Sequence, residues 1–162
     1  MKVAIVMGSV SDLPKLTDAI DFLKGFGVEV SVRALSAHRA HEALSEFLKE
    51  TENDGTEVII AAAGKAAHLP GVIASQTIKP VIGVPIKGSA LDGMDALLSI
   101  VQMPSGIPVA TVAIDGAKNA AILAVQMMAI HHQELKEKLL NHRQQMRDDA
   151  LKANDELVQR YK

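Results

Sequence analysis

Short segments with the apolar pattern of β-strands alternate along the chain with longer segments that have the pattern of amphipathic helices. Strands are predicted over residues 3–7, 28–35, 58–63, 81–84 and 109–114. Helices are predicted over residues 13–26, 41–52, 68–77, 92–101, 117–130 and 131–162, and the last of these is long and polar. This regular alternation is typical of a parallel sheet whose two faces are both covered by helices.

The number of predicted strands narrows the architecture further. Five parallel strands joined by right-handed crossovers favour a three-layer α/β sandwich of the flavodoxin-like kind, with strand order 2-1-3-4-5. The 162 residues contain neither an internal repeat nor a stretch with linker composition. We therefore expect one domain over residues 1–162, with an α/β core over 1–130 and a helical extension over 131–162.

Composition and charge exclude several classes of function. The chain is 48% apolar and 22% charged, which is typical of a folded globular protein. Its net charge of −2 argues against a nucleic-acid or membrane-surface partner, and the absence of cysteine excludes disulfides and thiol chemistry. The apolar run at residues 3–7 is too short for a signal segment or a membrane span. We therefore expect a cytoplasmic protein.

Charged residues are scarce between residues 58 and 130, where they are Lys65, Lys79, Lys87, Asp92, Asp95, Asp115 and Lys118. The predicted helix 117–130 is apolar on almost every side, and such a helix needs cover on every side. We expect neighbouring subunits to supply part of that cover, which predicts a homo-oligomer larger than a dimer. The sequence leaves open whether helix 131–162 packs on a neighbour or stays solvated.

Polar side chains follow three of the predicted strands, and the carboxyl ends of parallel strands lie at one edge of the sheet. The second strand leads into Ser36, His38 and Arg39 at the start of a helix. A helix N-terminus and an arginine both favour an anion, and a histidine can exchange protons near neutral pH. The alternative interpretation is a capping Ser36 beside a surface arginine.

The loops after the first and third strands have complementary features. Ser9 and Ser11 offer hydroxyls to a phosphate, while Asp12 suits sugar hydroxyls or, alternatively, caps the following helix. After the third strand, the small residues Gly64, Ala66 and Ala67 allow a ligand to approach the backbone closely, and His68 follows them. Together the three loops predict a site for a phosphorylated ribose with histidines beside a base-like ring.

Six short runs carry a resemblance to a known family. They are GSVSD at residues 8–12, SAHR at 36–39, AAHLPG at 66–71, PVIGVP at 80–85, SIVQMP at 99–104 and NAAILA at 119–124. In combination they closely resemble the class I N5-carboxyaminoimidazole ribonucleotide mutases of purine biosynthesis. The resemblance implies a cytoplasmic octamer that needs no metal or organic cofactor. It also implies conversion of N5-carboxyaminoimidazole ribonucleotide to 4-carboxy-5-aminoimidazole ribonucleotide.

The resemblance also implies roles for individual residues. His38 matches the catalytic acid and base, and His68 matches a second histidine beside the base and carboxylate. The other matching positions bind substrate: Ser9, Ser11, Ser36 and Arg39 at the phosphate, Asp12 at the ribose, Gly64, Ala66 and Ala67 in the close-approach loop, and Ser89 and Leu91 in a covering loop. The family usually has a small or apolar residue at Lys65. A cation there either holds a carboxylate or points to solvent.

The implied reaction is loss of CO2 from nitrogen, attack of the ring carbon C4 on the trapped CO2, and proton transfer by His38.

One alternative is the related carboxylase, which uses free CO2, but its members tend to have lysine where this chain has Arg39. A second alternative is a non-catalytic nucleotide-binding module. A phospho-receiver is disfavoured because Gly8-Ser9 and Ala63-Gly64 stand where it needs acidic residues. The histidine spacing also gives no metal-hydrolase motif.

Overall fold

The computed structural model describes residues 1–161. In this range the structure has one parallel sheet of five strands, in the order β2-β1-β3-β4-β5, and six α-helices. The strands are β1 (Lys2–Met7), β2 (Glu29–Ala34), β3 (Thr56–Gly64), β4 (Val81–Ile86) and β5 (Ala110–Thr111). The helices are α1 (Leu13–Gly25), α2 (His41–Thr51), α3 (Leu69–Ala74), α4 (Met94–Val101), α5 (Ala117–Met128) and α6 (Gln133–Arg160). The predicted class and strand order are confirmed.

The three inner strands are buried on both faces, which explains their nearly continuous apolar sequences. One face of the sheet packs on α1, α5 and the first turns of α6, and the other face packs on α2, α3 and α4. Met7 lies in register with Ala34 of β2 and with Ala62 of β3. Because these strand ends lie side by side, the loops that follow them meet at one edge of the sheet.

Strand β4 continues two residues beyond the predicted end at residue 84 and includes Pro85. The carbonyl of Pro85 accepts a hydrogen bond from the Asp115 N–H at 2.8 Å, so residue 85 directs its backbone groups toward β5. Strand β5 has already ended at Thr111, and the missing N–H of proline therefore interrupts no strand pairing. Strand β5 therefore ends three residues before the predicted end at residue 114.

The packing of helix α5 removes one reason for expecting contacts between subunits. It was predicted to need cover from neighbours, but α1 and α6 of the same chain cover much of it. Its first turn exposes Lys118 and Asn119. The homo-oligomer therefore stays a prediction that this helix does not support.

Helix α6 packs on the body of the protein only over its first turns. Leu135 and Leu139 are buried, whereas Met146 and Leu151 of the same predicted stripe are 56% and 52% exposed. Over residues 1–161, no helix combines the length and apolar character that a membrane crossing requires.

Candidate active site

Four loops at the carboxyl edge of the sheet surround one cavity of about 590 Å³. The loops follow β1, β2, β3 and β4. The sequence-predicted residues that line the cavity are Ser9, Ser11, Asp12, Ser36, His38, Arg39, Gly64, Ala66 and His68. Residues that lie up to 59 positions apart in the sequence (9 to 68) are thus brought together where open α/β sheets bind their ligands.

The two predicted histidines form a hydrogen-bonded pair. Nε2 of His38 lies 2.7 Å from Nδ1 of His68, and the two rings are perpendicular with their centroids 4.9 Å apart. One of these nitrogens donates a proton to the other, so the pair has a single shared N–H between the rings. The nitrogens outside this bond are Nδ1 of His38 and Nε2 of His68, which leaves one free nitrogen on each ring.

Short local turns hold both histidines. The carbonyl of Ser36 accepts hydrogen bonds from the N–H groups of Arg39 and Ala40, at 3.3 and 2.8 Å, which folds the loop after β2 into a turn. On the other side, the N–H of His68 donates to the Ala66 carbonyl at 2.8 Å, directly before α3. Both imidazoles are exposed at the cavity surface.

Hydroxyl groups and a guanidinium lie at the side of the cavity formed by the loops after β1 and β2. Oγ of Ser9 accepts hydrogen bonds from the N–H and the hydroxyl of Ser11, at 3.3 and 2.8 Å. Nε of Arg39 donates to Oγ of Ser36 at 3.5 Å. These donors match the acceptor oxygens of a phosphate.

Asp12 stands at the start of α1 but makes no capping hydrogen bond with its side chain. Its carboxylate therefore has lone pairs that α1 does not use. Burial raises the pKa of the Asp12 carboxyl, and hydrogen bonds from Ser9 and Ser11 oppose the rise. Its position beside the two serines suits a group that accepts hydrogen bonds from ligand hydroxyls.

The loop after β3 approaches the backbone of β4 closely. A Cβ placed on Gly64 would lie 3.3 Å from the carbonyl oxygen of Ile86, which is tighter than most such contacts. Ala67 was predicted in this loop as a substrate contact. The structure corrects that placement, because Ala67 is 1% exposed and packs into the core formed with α2, α3 and α4.

The loop after β4 contributes residues to the cavity lining that were not predicted from the sequence. Ile86, Lys87 and Gly88 line the cavity, whereas the predicted Ser89 and Leu91 are exposed and lie outside the lining. The chain turns here at Asp92 and Gly93, with φ values of 52° and 92°, and a 3.1 Å ion pair between Lys87 and Asp92 spans the turn. Lys87 could have been predicted as a lining residue from its position directly after the end of a strand. It was missed because the strand was predicted to end at residue 84.

The charges around the cavity favour an anionic ligand. Arg39, Lys65 and Lys87 line it, against one carboxylate, that of Asp12. Within the described range, 1–161, the structure brings no three His, Asp or Glu side chains into a group that could ligate a metal ion. A phosphorylated ligand whose ring lies beside the histidine pair fits this arrangement.

Comparisons with known proteins agree on one family. The AIR carboxylase family model matches residues 2–149. The chain is 58% identical over 146 residues to the N5-carboxyaminoimidazole ribonucleotide mutase of Pyrococcus abyssi, a match that covers 90% of this chain and 84% of the relative. It is 49% identical over 158 residues to the enzyme of the same name from Thermotoga maritima, covering 98% and 92%. The crystal structure of Treponema denticola PurE superposes with a TM-score of 0.89 at 30% identity, covering 96% of this chain and 98% of that one.

Proposed function

The chain belongs to the AIR carboxylase family, and we propose that it is an N5-carboxyaminoimidazole ribonucleotide mutase whose reaction takes place in the cavity around His38 and His68. Relatives of that name match over most of both chains, which supports the reaction class. The observation that supports the site is the 2.7 Å hydrogen bond between the two imidazoles at the cavity surface.

The substrate has a phosphate at one end and a carboxylate at the other, and the cavity has matching groups. The hydroxyls of Ser9 and Ser11 and the guanidinium of Arg39 hold the phosphate, since they form the donor-rich side of the cavity. The carboxylate of Asp12 accepts hydrogen bonds from the ribose hydroxyls. This placement directs the imidazole ring of the substrate toward His38 and His68.

The reaction needs one proton to be donated and one to be taken back. Protonated His38 gives a proton to the exocyclic nitrogen as the bond from that nitrogen to the carboxylate carbon breaks, which yields the free amine and CO2. The ring carbon C4 then attacks CO2, and its electron pair forms the new carbon–carbon bond. Neutral His38 takes the proton from C4, which restores the aromatic ring and the protonated histidine. The product is an isomer of the substrate, so atoms and charge balance.

His68 holds His38 in the orientation that this proton transfer needs. When Nε2 of His38 donates to Nδ1 of His68, the nitrogen of His38 left for the substrate is Nδ1. General acid and base catalysis of this kind contributes roughly 10²–10⁴ in rate.

CO2 must stay near C4 between the two steps, and both histidines are exposed in the single chain. A cover over the cavity is therefore part of this proposal. The loop that contains Ser89 and Leu91 is one source of cover, and a neighbouring subunit of a homo-octamer is the other. Water exclusion by such a cover would retain CO2 and favour recapture over escape. A cytoplasmic location fits the small, phosphorylated substrate.

The test compares two substrates. The purified chain is given N5-carboxyaminoimidazole ribonucleotide in buffer freed of bicarbonate, and separately aminoimidazole ribonucleotide with added bicarbonate. We expect rapid formation of the 4-carboxy product from the first substrate, with no dependence on bicarbonate. Fast turnover of the second substrate alone would identify a carboxylase instead. Tight binding of both without turnover would identify a nucleotide-binding module.

A further inference from the structure

Lys65 is a cation in the cavity lining that the phosphate and proton-transfer roles do not use. It follows Gly64 at the end of β3 and precedes His68 by three residues on the same loop. Its φ is 55°, in the left-handed region that residues other than glycine, asparagine and aspartate seldom adopt. The chain therefore retains a long cationic side chain at a position where its backbone would favour glycine.

The three cations of the lining differ in their partners. The Lys87 ammonium lies 3.1 Å from the Asp92 carboxylate and forms an ion pair with it. Across residues 1–161, no carboxylate lies within ion-pair distance of Lys65 or of Arg39. Two cations of the cavity thus have no anionic partner within the chain.

The proposed substrate has two anionic groups, and Arg39 is placed at the phosphate. We infer that the ammonium of Lys65 binds the carboxylate that moves during the reaction, an inference that rests on the proposed function. The carboxylate begins on the exocyclic nitrogen and ends on C4, and both atoms exchange a proton with His38. The transferred group, first a carboxylate, then CO2 and then a carboxylate again, therefore stays beside the histidine pair, and Lys65 lies on the loop that carries His68.

This role gives a specific pattern of binding. The carboxylate is present in both substrate and product but is neutral CO2 between them, so Lys65 stabilises the two carboxylated states more than the intermediate. It makes no such contact with aminoimidazole ribonucleotide, which has the phosphate and ring but no carboxylate. Lys65 is then a residue that makes the site prefer carboxylated ribonucleotides.

The test is calorimetric titration of the full chain with the 4-carboxy product and with aminoimidazole ribonucleotide. Lys65→Met removes the charge and keeps an unbranched side chain. We expect it to weaken binding of the carboxylated product by roughly 10–30-fold, the lower part of the range for a hydrogen bond between charged groups, and to leave the other ligand within about twofold. KM for the substrate should rise while kcat does not fall, because the lost contact stabilises the bound substrate more than the CO2 intermediate.

Matched variants separate a contact with the carboxylate from a general change of charge or of loop conformation. Lys118→Met makes the same charge change in the exposed first turn of α5, outside the cavity lining, and should change neither affinity. Lys65→Arg should restore most of the preference. Lys65→Gly, which suits the positive φ, should repeat the loss seen with methionine and keeps the test valid if that variant folds poorly.

Several results would overturn the inference. These are equal weakening of both ligands, no change in either, or a wild-type chain that binds the carboxylated product no more tightly than aminoimidazole ribonucleotide. A failure of the proposed function looks different. In that case the wild type does not turn over the substrate, while the effect of Lys65→Met on the two affinities can still be measured.

Discussion

The hydrogen bond between His38 and His68 makes a quantitative prediction about catalysis. His38→Asn removes Nε2 and the ability to exchange protons, and should lower kcat by roughly 10²–10⁴ while the ribonucleotide still binds. His68→Gln removes the acceptor at Nδ1. A hydrogen bond to a charged group contributes about 1.5–3 kcal/mol. Since both rings are exposed, we take the lower part of this range and expect a loss of about 10–30-fold in kcat.

A double-mutant cycle separates a cooperating pair from two independent groups. With His38 already replaced, His68 has no ring to orient, so the double variant should be no more than a few-fold slower than His38→Asn. His68→Asn is the matched control, because its amide can place an acceptor where Nδ1 stands. It should recover most of the loss seen with His68→Gln. Full additivity of the two losses in single-turnover assays would refute the proposed orienting role.

Two further predictions concern the phosphate contact and an ion pair far from the site. Arg39→Ala should raise KM by roughly 10–100-fold, since a charge-assisted contact is lost, and an unchanged KM would exclude Arg39 from the phosphate site. Burial of the Asp54 carboxyl raises its pKa, but hydrogen bonds from Lys2 and Thr56 outweigh this and lower it to about 2. This lowered pKa stabilises the fold above pH 3.8, the ordinary value, and the stabilisation disappears as the pH falls toward 2. The carboxyl is largely exposed, so we expect Asp54→Asn to cost about 1 kcal/mol at neutral pH. In urea unfolding this difference should shrink between pH 5 and pH 3, and a constant difference would contradict the assignment.

Sequence patterns predicted the sheet and most of the cavity because both follow from local rules. Apolar runs bounded by glycine and proline mark the strands, and parallel strand ends must share one edge. These two rules are sufficient to predict that Ser9, Arg39 and His68 lie close together. The motif resemblance added the identity of the substrate, which the geometry of the loops alone does not specify.

The remaining features depend on contacts that local patterns do not contain. The continuation of β4 through Pro85 depends on where β5 ends, and this concealed Lys87 as a lining residue. The small side chain of Ala67 suits a ligand contact and a buried core equally well, and only the packing of α3 decides between them. Likewise, the cover of α5 depends on how α1 and α6 pack. Distances between side chains on different loops, such as the one between the two histidines, require the structure.

The most direct test of this account is a crystal structure of the chain with the 4-carboxy product bound. The measured quantity is the distance from the free ring nitrogen of His38 to C4 of the ligand. We expect roughly 3–3.5 Å, the separation that proton transfer requires, with the ligand phosphate at Ser9 and Arg39. A ligand bound elsewhere, or a His38 ring turned to solvent away from the heterocycle, would contradict the assignment of this cavity as the catalytic site.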